Sequence, residues 1–281
     1  MRDLVIQTDF GLKDGAVSTM YGVAYGVSDK IRISELTQGI TPFNIFEASF
    51  RLFQTVKYWK PGTVFVSVVD PGVGSNRKSI VAKLKTGQYV VTPDNGTLTH
   101  VAEAFGVEAV RVLDETIQRL PGSENSATFL GRDIYAYNGA KLASEIVTFD
   151  EIGKPLAPTE VVTIPLEEAQ LVDNVIEGTV EITDVNFGSL WTNISESLWQ
   201  DAFQAKLGAN YLVRIFDHGS IKFEREIPFV KTFADVDPGD DLIYINSVGS
   251  VGVAIRMGNF EKVNQVSAGP EWTIEIKKSE G

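Results

Sequence analysis

Three carboxylates stand at the ends of short apolar runs and each is followed by a turn: Asp9 before Phe10-Gly11, Asp70 before Pro71-Gly72, and Asp94 before Asn95-Gly96. In an open α/β sheet, ligands bind outside the carboxyl ends of the strands. Three such turns on neighbouring parallel strands would therefore gather acid at one edge. Aspartate in a Pro/Gly turn is also ordinary turn chemistry, because its short side chain bonds the nearby backbone. Asp70 carries a further signal, since Arg77 follows it across the tight loop Pro71-Gly72-Val73-Gly74-Ser75-Asn76. An acid and an arginine so placed can be a structural ion pair, or can flank a small nucleophile such as water. The loop is not a dinucleotide fingerprint: that motif needs a third glycine, where Arg77 stands, and a helix directly after the turn, where Ser79-Ile80-Val81 reads as a strand. Nor does the chain carry a Walker phosphate loop.

A second segment, Asp184-Val185-Asn186-Phe187-Gly188-Ser189-Leu190-Trp191-Thr192-Asn193, sets an acid, amides, a hydroxyl and two aromatic rings close together. Flat apolar faces with a few polar anchors suit an adenine-type ring. An aromatic-pinned hairpin has the same composition, and both alternatives stand.

Composition narrows the chemistry. The 281 residues include no cysteine, which excludes disulfides, thiol nucleophiles and zinc–thiolate sites. The two histidines, His100 and His218, leave little room for a His-rich metal site or a Ser-His-Asp triad. A net charge of -12 argues against nucleic acid, which calls for a basic footprint. No apolar run approaches the ~20 residues that span a bilayer. Met1-Arg2-Asp3-Leu4 enters a strand-like run with no signal-peptide core, so a cytoplasmic protein with no membrane association is expected.

The elements that must position these residues alternate in the first half. Leu4–Ile6, Ile31–Leu36, Val64–Val69, Ser79–Lys85, Gln88–Thr92 and Ala109–Leu113 read as strands. Helical spacing covers about Asp14–Val27, Pro42–Trp59, Thr97–Phe105 and Arg132–Ile146, with Asn44 and Glu47 placed as a capping pair for the second of these. Gly153-Lys154-Pro155-Leu156-Ala157-Pro158 has linker composition, and beyond it the helical periodicity disappears. Short strands follow at Gly178–Val185, Tyr211–Phe216, Ile221–Ile227, Leu242–Ile245, Val251–Ile255 and Trp272–Ile276. We therefore expect an α/β N-terminal domain over residues 1–158, with a mostly parallel mixed sheet, and a small antiparallel β-barrel domain over residues 165–281.

Taken in order, the segments resemble one family. They are Thr8-Asp9-Phe10-Gly11 with Asp14, Asp70 to Ser75 with Arg77, Thr92-Pro93-Asp94-Asn95-Gly96, Phe129 with Gly131-Arg132-Asp133-Ile134, Asp184 to Asn193, and Asn246-Ser247 with Gly249 and Gly258-Asn259. They are similar to the adenosine-forming S-adenosylmethionine hydrolases, or SAM hydroxide adenosyltransferases, relatives of the fluorinase and chlorinase. The resemblance implies attack by water or hydroxide at C5′ of S-adenosylmethionine, releasing adenosine and methionine, with no metal or organic cofactor. It implies catalytic roles for Asp70 and Arg77 around the attacking water. Asp9 would accept the ribose hydroxyls, Phe43 would pack near the ribose, and Phe129 would line the same pocket. Asp184, Ser189 and Ser247 would hold the methionine portion. Phe187, Trp191 and Phe233 would supply flat surfaces, and the backbone at Asn259-Phe260 would reach adenine. It further implies a homotrimer with its sites between subunits.

The departures fall on the expected site. The hydrolases read Thr-Phe-His-Gly-Arg-Asp where this chain reads Thr128-Phe129-Leu130-Gly131-Arg132-Asp133. Leucine neither accepts nor donates a proton. A second family histidine is Gln38, the usual asparagine of the methionine loop is Ser189, and the usual alanine after Gly-Asn is Phe260, large enough to crowd adenine. His100 is expected to pack a helix rather than replace the lost histidine, and His218 to be turn surface. Two functions follow: a hydrolase slowed or altered by Leu130, or a silent protein that binds S-adenosylmethionine or adenosine. A third reading is a related enzyme with another nucleophile or adenosyl compound. Halide is disfavoured beside acidic Asp70.

Overall fold

The computed structural model describes residues 2–279 and divides into two compact units, 1–164 and 165–281. The first holds β1 (Asp3–Thr8), α1 (Ala16–Val27), β2 (Arg32–Thr37), α2 (Ile45–Val56), β3 (Val64–Val68), β4 (Ser79–Leu84), β5 (Tyr89–Pro93), α3 (Thr99–Phe105) and β6 (Val107–Leu113). A π-helical turn over Gly131–Ala136 then runs into α4 (Tyr137–Ala143), and β7 (Lys154–Leu156) closes the unit. The strands order as β2-β1-β3-β5-β4-β6-β7. β2, β1, β3 and β5 pair in parallel, whereas β4 is antiparallel to both β5 and β6, and β7 to β6. A mixed, mostly parallel sheet results, as expected.

The central strands read as unbroken apolar runs because both faces are covered. Leu4, Ile6, Val64 and Val66 face Met20, Ala24, Ile134 and Ala140 on one side, while Val5, Phe65 and Val90 pack with Leu52, Val56 and Val101 on the other. The capping signal on α2 is realised: the Asn44 side chain accepts the Glu47 N–H at 2.9 Å. The Glu47 carboxylate reaches back to the Thr41 N–H at 2.9 Å, so the helix starts at Ile45 rather than Pro42.

The expected linker is not one. Lys154–Leu156 adds an edge strand to β6, where Pro155 is tolerated because an edge residue need not donate. Gly153 is there for close approach, since a Cβ on it would stand 2.2 Å from the Val112 carbonyl oxygen.

The second unit holds β8 (Gln170–Val172), β9 (Val175–Thr183), β10 (Leu190–Ser195), α5 (Glu196–Phe203), β11 (Asn210–Asp217), β12 (Ser220–Pro228), β13 (Asp241–Ile245), β14 (Ser250–Ile255), α6 (Phe260–Asn264) and β15 (Trp272–Lys278). Its strands order as β12-β11-β15-β9-β10-β14-β13, with β8 on β9, and all of these neighbours pair antiparallel. A bridge between Phe229 and Ile243 brings the two ends together, so the sheet is a nearly closed barrel. Helices do not vanish here as the periodicity suggested. α5, capped by Ser195 on the Leu198 N–H at 3.1 Å, buries Trp199 and Phe203 against Tyr211 with ring centroids 4.6 and 5.4 Å apart. It is too short to display a period.

Among the described residues no helix is long and apolar enough to cross a membrane, and no group of three or more His, Asp or Glu could hold a metal ion.

Candidate active site

β1, β3 and β5 are adjacent and parallel, so the three acidic turns share one edge of the sheet. Their carboxylates do not share one role. Asp9 and Asp70 line a cavity of about 280 Å³ together with Phe43, Phe129 and Leu130. Asp94 instead accepts the Val162 N–H at 2.9 Å and ties down the chain beyond β7; burial raises its pKa. At Asp94, turn and tether chemistry is the correct description.

Asp9 is fixed by its neighbours. Its Oδ2 accepts the Phe43 N–H at 2.8 Å. Phe43 sits at φ +69° with its ring 70% exposed at the cavity mouth. A bulky side chain in the left-handed region is strained, and such strain clusters at ligand sites. Beneath them Gln38 is buried: its Oε1 accepts from Thr8 Oγ1 at 2.7 Å and its Nε2 donates to the Ile6 carbonyl at 3.2 Å. Gln38 thus secures the end of β1. The opposite wall is the entry to the π-helical turn, where Phe129 meets Phe10 edge-on at 5.8 Å between centroids. Gly131 makes room for that contact, because a Cβ there would lie 3.1 Å from the Phe10 ring.

Asp70 and Arg77 form the bridge the loop allowed. Arg77 Nε donates to Asp70 Oδ1 at 2.9 Å and Nη2 to Oδ2 at 2.5 Å, with the two side chains only 9% and 7% exposed. The other end of the guanidinium, Nη1, reaches Ser79 Oγ and Glu115 Oε1, both at 3.1 Å. Burial works against the charge on Arg77, but the hydrogen bonds and charges of Asp70, Tyr135 and Glu115 together outweigh it and raise its pKa. Burial also raises the Tyr135 pKa, and its hydroxyl lies 2.8 Å from Ser79 Oγ. A bidentate, nearly enclosed pair of this kind holds a carboxylate in one orientation.

Leu130 lines the same cavity and is 3% exposed, packed with Ile6, Val66 and Tyr135. His100 is buried on α3, its Nδ1 2.9 Å from Ser49 Oγ and its ring against Phe46 and Phe50 at 4.9 and 5.6 Å. It packs helices. His218 is exposed in the β11–β12 turn beside Asp217 at 2.7 Å.

The second unit carries its own cavity, about 860 Å³, lined by Asp184, Phe187, Ser189 and Phe233 among others. Residues 184–189 close the β9–β10 hairpin, with the Asp184 N–H on the Ser189 carbonyl at 2.8 Å. The segment is therefore a hairpin, and its tip forms part of the cavity wall with the Phe187 ring 67% exposed. Trp191 is buried behind that wall and donates from Nε1 to the Tyr244 hydroxyl at 3.1 Å. Burial holds the Tyr244 pKa above the ordinary tyrosine value, against the hydrogen bonds of Ser189 and Trp191.

Other residues sit elsewhere. Ser247 is exposed in the β13–β14 turn and outside the cavity wall. Asn259 caps α6 through the Lys262 N–H at 2.8 Å. It presses on Gly188, where a Cβ would come within 2.2 Å of it, and Gly258 rather than Asn259 reaches the wall. Phe260 is fully buried in the barrel core against Phe223, with ring centroids 4.9 Å apart, so its bulk does not crowd the cavity. Tyr244, Arg256 and Met257 also line the cavity. Sequence reasoning missed them, because a tyrosine in a strand and an arginine at a strand end carry no signal of their own.

Comparisons with known proteins agree with these features. Residues 4–153 match the SAM hydroxide adenosyltransferase N-terminal domain, and residues 178–273 match its C-terminal domain. A protein of Methanocaldococcus jannaschii named (R)-S-adenosyl-L-methionine hydrolase is 30% identical over 94% of this chain and 92% of its own. A protein of Salinispora tropica with the same name is 34% identical over 93% of each. A fluorinase of an Actinoplanes species is 28% identical over 89% of this chain and 90% of its own. The crystal structure of an uncharacterized conserved protein from Thermotoga maritima superimposes with a TM-score of 0.88 at 32% identity, covering 98% of this chain and all of that one. With both domain models matched in order over most of its length, the chain belongs to the SAM hydroxide adenosyltransferase family.

Proposed function

We propose that the protein hydrolyses S-adenosyl-L-methionine to adenosine and L-methionine, by attack of water or hydroxide on C5′. The observation that carries this reading is the Asp70–Arg77 pair. Asp70 stands with Asp9 in a largely apolar wall that includes Phe10, Phe43, Val68, Val73, Phe129 and Leu130, and its carboxylate is held by the Nε–Nη2 edge of one guanidinium. A fixed acceptor beside an apolar surface can hold a single water in line with a bound carbon. The new O–C5′ bond forms as the C5′–S bond breaks, and the electron pair returns to sulfur, leaving neutral methionine. A sulfonium leaves without protonation, so the one proton to be moved is that of the attacking water, and Asp70 is the acceptor present. Asp9 takes the ribose hydroxyls and Phe43 with Phe129 encloses the sugar. In the barrel, Asp184 and Ser189 hold the methionine portion, with Ser247 reaching it from the turn outside the cavity wall; Phe187 and Phe233 supply aromatic faces backed by the buried Trp191, and the Asn259-Phe260 backbone reaches adenine.

We place residues 1–158 as the nucleoside-binding domain and residues 165–281 as the barrel domain of a cytoplasmic homotrimer, with each site shared between subunits. Leu130 favours a second reading, in which the same site binds S-adenosylmethionine or adenosine without turnover, because an aliphatic side chain that handles no proton fills its place in that wall. Turnover in heavy-oxygen water tests the reaction. Label in the 5′-hydroxyl of adenosine is expected; unlabelled adenosine, or none, excludes attack of water at C5′.

A further inference from the structure

The arginine behind Asp70 serves two carboxylates. Its Nε–Nη2 edge is taken by Asp70, and its Nη1 end by Glu115, which also accepts from Ser79 Oγ at 2.6 Å. The direction of the remaining hydrogen bond follows. Ser79 gives its single proton to Glu115, so the Tyr135 hydroxyl must donate to Ser79, which its raised pKa permits at neutral pH. Glu115 therefore ends a donor chain and, with Ser79, takes the Nη1 end of the guanidinium. The nearby cation Arg119 directs its hydrogen bonds to the backbone carbonyls of Glu115 and Ser126 at 3.1 and 2.8 Å rather than to the Glu115 carboxylate, so the side-chain pairing of Glu115 is left to Arg77 and Ser79. One guanidinium is thus shared between two carboxylates behind the cavity wall, with Asp9 adding a further negative charge on the wall itself.

We propose that Glu115 is a positioning and specificity-determining residue of this site: by drawing on Arg77 from behind, it leaves Asp70 incompletely neutralised and so biases the cavity toward ligands with a positive charge at the position of the sulfonium. This rests on the proposed function above. A residue that merely braced Arg77 would affect charged and neutral ligands alike, whereas an electrostatic role separates them.

The experiment measures, by titration calorimetry on the intact protein, the affinities of two hydrolysis-resistant analogues. One is sinefungin, with an amine in place of the sulfonium, and the other is S-adenosylhomocysteine, a neutral thioether. Glu115→Gln is expected to lower the preference for sinefungin over S-adenosylhomocysteine by roughly 5–20-fold, the order expected of one partly buried unit charge acting through a shared partner. Glu115→Asp is expected to restore most of that preference. An unchanged preference in Glu115→Gln, with both ligands still bound, overturns the inference and leaves the proposed function standing. Binding of neither ligand by the wild type overturns the proposed function and this inference with it. Loss of binding to both ligands by Glu115→Gln, with its melting temperature unchanged, assigns Glu115 a bracing role only and also overturns the inference.

Discussion

Replacing Leu130 by histidine separates what this position does for the fold from what it withholds from the chemistry. Leu130 is 3% exposed and packs with Ile6, Val66 and Tyr135 while contributing to the cavity wall shared with Asp70. Burying a leucine side chain is worth about 1.5–3 kcal/mol. An imidazole of smaller apolar area recovers part of that and introduces two ring nitrogens, of which one can face the cavity; an unmatched buried polar atom costs about 1–3 kcal/mol. A net destabilisation of about 2 kcal/mol is expected, or about 4–8 °C in melting temperature for a unit of this size. Opposite in sign, a positioned base typically adds ~10²–10⁴ to a rate.

The pH dependence carries its own sign. A histidine facing a carboxylate has its folded pKa raised above the ordinary value of about 6.5. The stability it contributes is therefore complete below about 6.5 and is lost as pH rises through the raised value. The neutral base accumulates over the same interval, so activity climbs as stability falls. Adenosine release by chromatography and thermal melts across pH 5–9 read both. A variant that melts with the wild type refutes the packing argument, and one that melts early yet gains no rate refutes the placement of the attacking water beside this wall.

Other outcomes follow from the same geometry. Asp9→Ala removes the carboxylate that orients Phe43 and, in the proposed function, accepts the ribose hydroxyls; a charged hydrogen bond of this kind is worth about 1.5–3 kcal/mol, so KM is expected to rise roughly 10–100-fold in steady-state kinetics while kcat moves far less. Gly188→Ala forces a Cβ to 2.2 Å from Asn259 at φ +65°, and thermal melts should show a loss of more than about 2 kcal/mol, together with loss of ligand binding at the barrel cavity. Asp94→Asn keeps an oxygen for the Val162 N–H but removes a carboxylate whose folded pKa is raised by burial. An acid raised in the folded state destabilises progressively as pH rises from its unfolded value of about 3.9 through the folded one. The advantage of the asparagine variant should therefore be larger at pH 8 than at pH 4 in paired melts.

Much of this architecture was legible in residue order because the strongest signals are local. Val64–Val69 reads as a doubly covered strand, and Asn44 with Glu47 reads as a helix start, since both depend on neighbours in the chain. That Asp9 and Asp70 would meet at one sheet edge was legible for the same reason: each ends a strand at a turn. What was not legible depends on distant partners. Nothing in Lys154-Pro155-Leu156 says that β6 has a free edge, and nothing in Asp94 says that its carboxylate will be taken by Val162, 68 positions away. Phe260, read as crowding adenine, turns into the barrel because Phe223 and its neighbours offer an apolar interior. Glu115 lies 38 positions from Arg77, and only the antiparallel pairing of β4 with β6 brings their segments together.

The most direct test of the central claim is an overnight incubation of S-adenosyl-L-methionine with the wild type and with Asp70→Ala, with adenosine and methionine resolved by chromatography. The account predicts equimolar adenosine and methionine from the wild type and none above background from Asp70→Ala, although that variant still binds the substrate. Equal release by both proteins, or silence from the wild type, would contradict it; silence relieved by Leu130→His would identify a binding site whose chemistry has been lost.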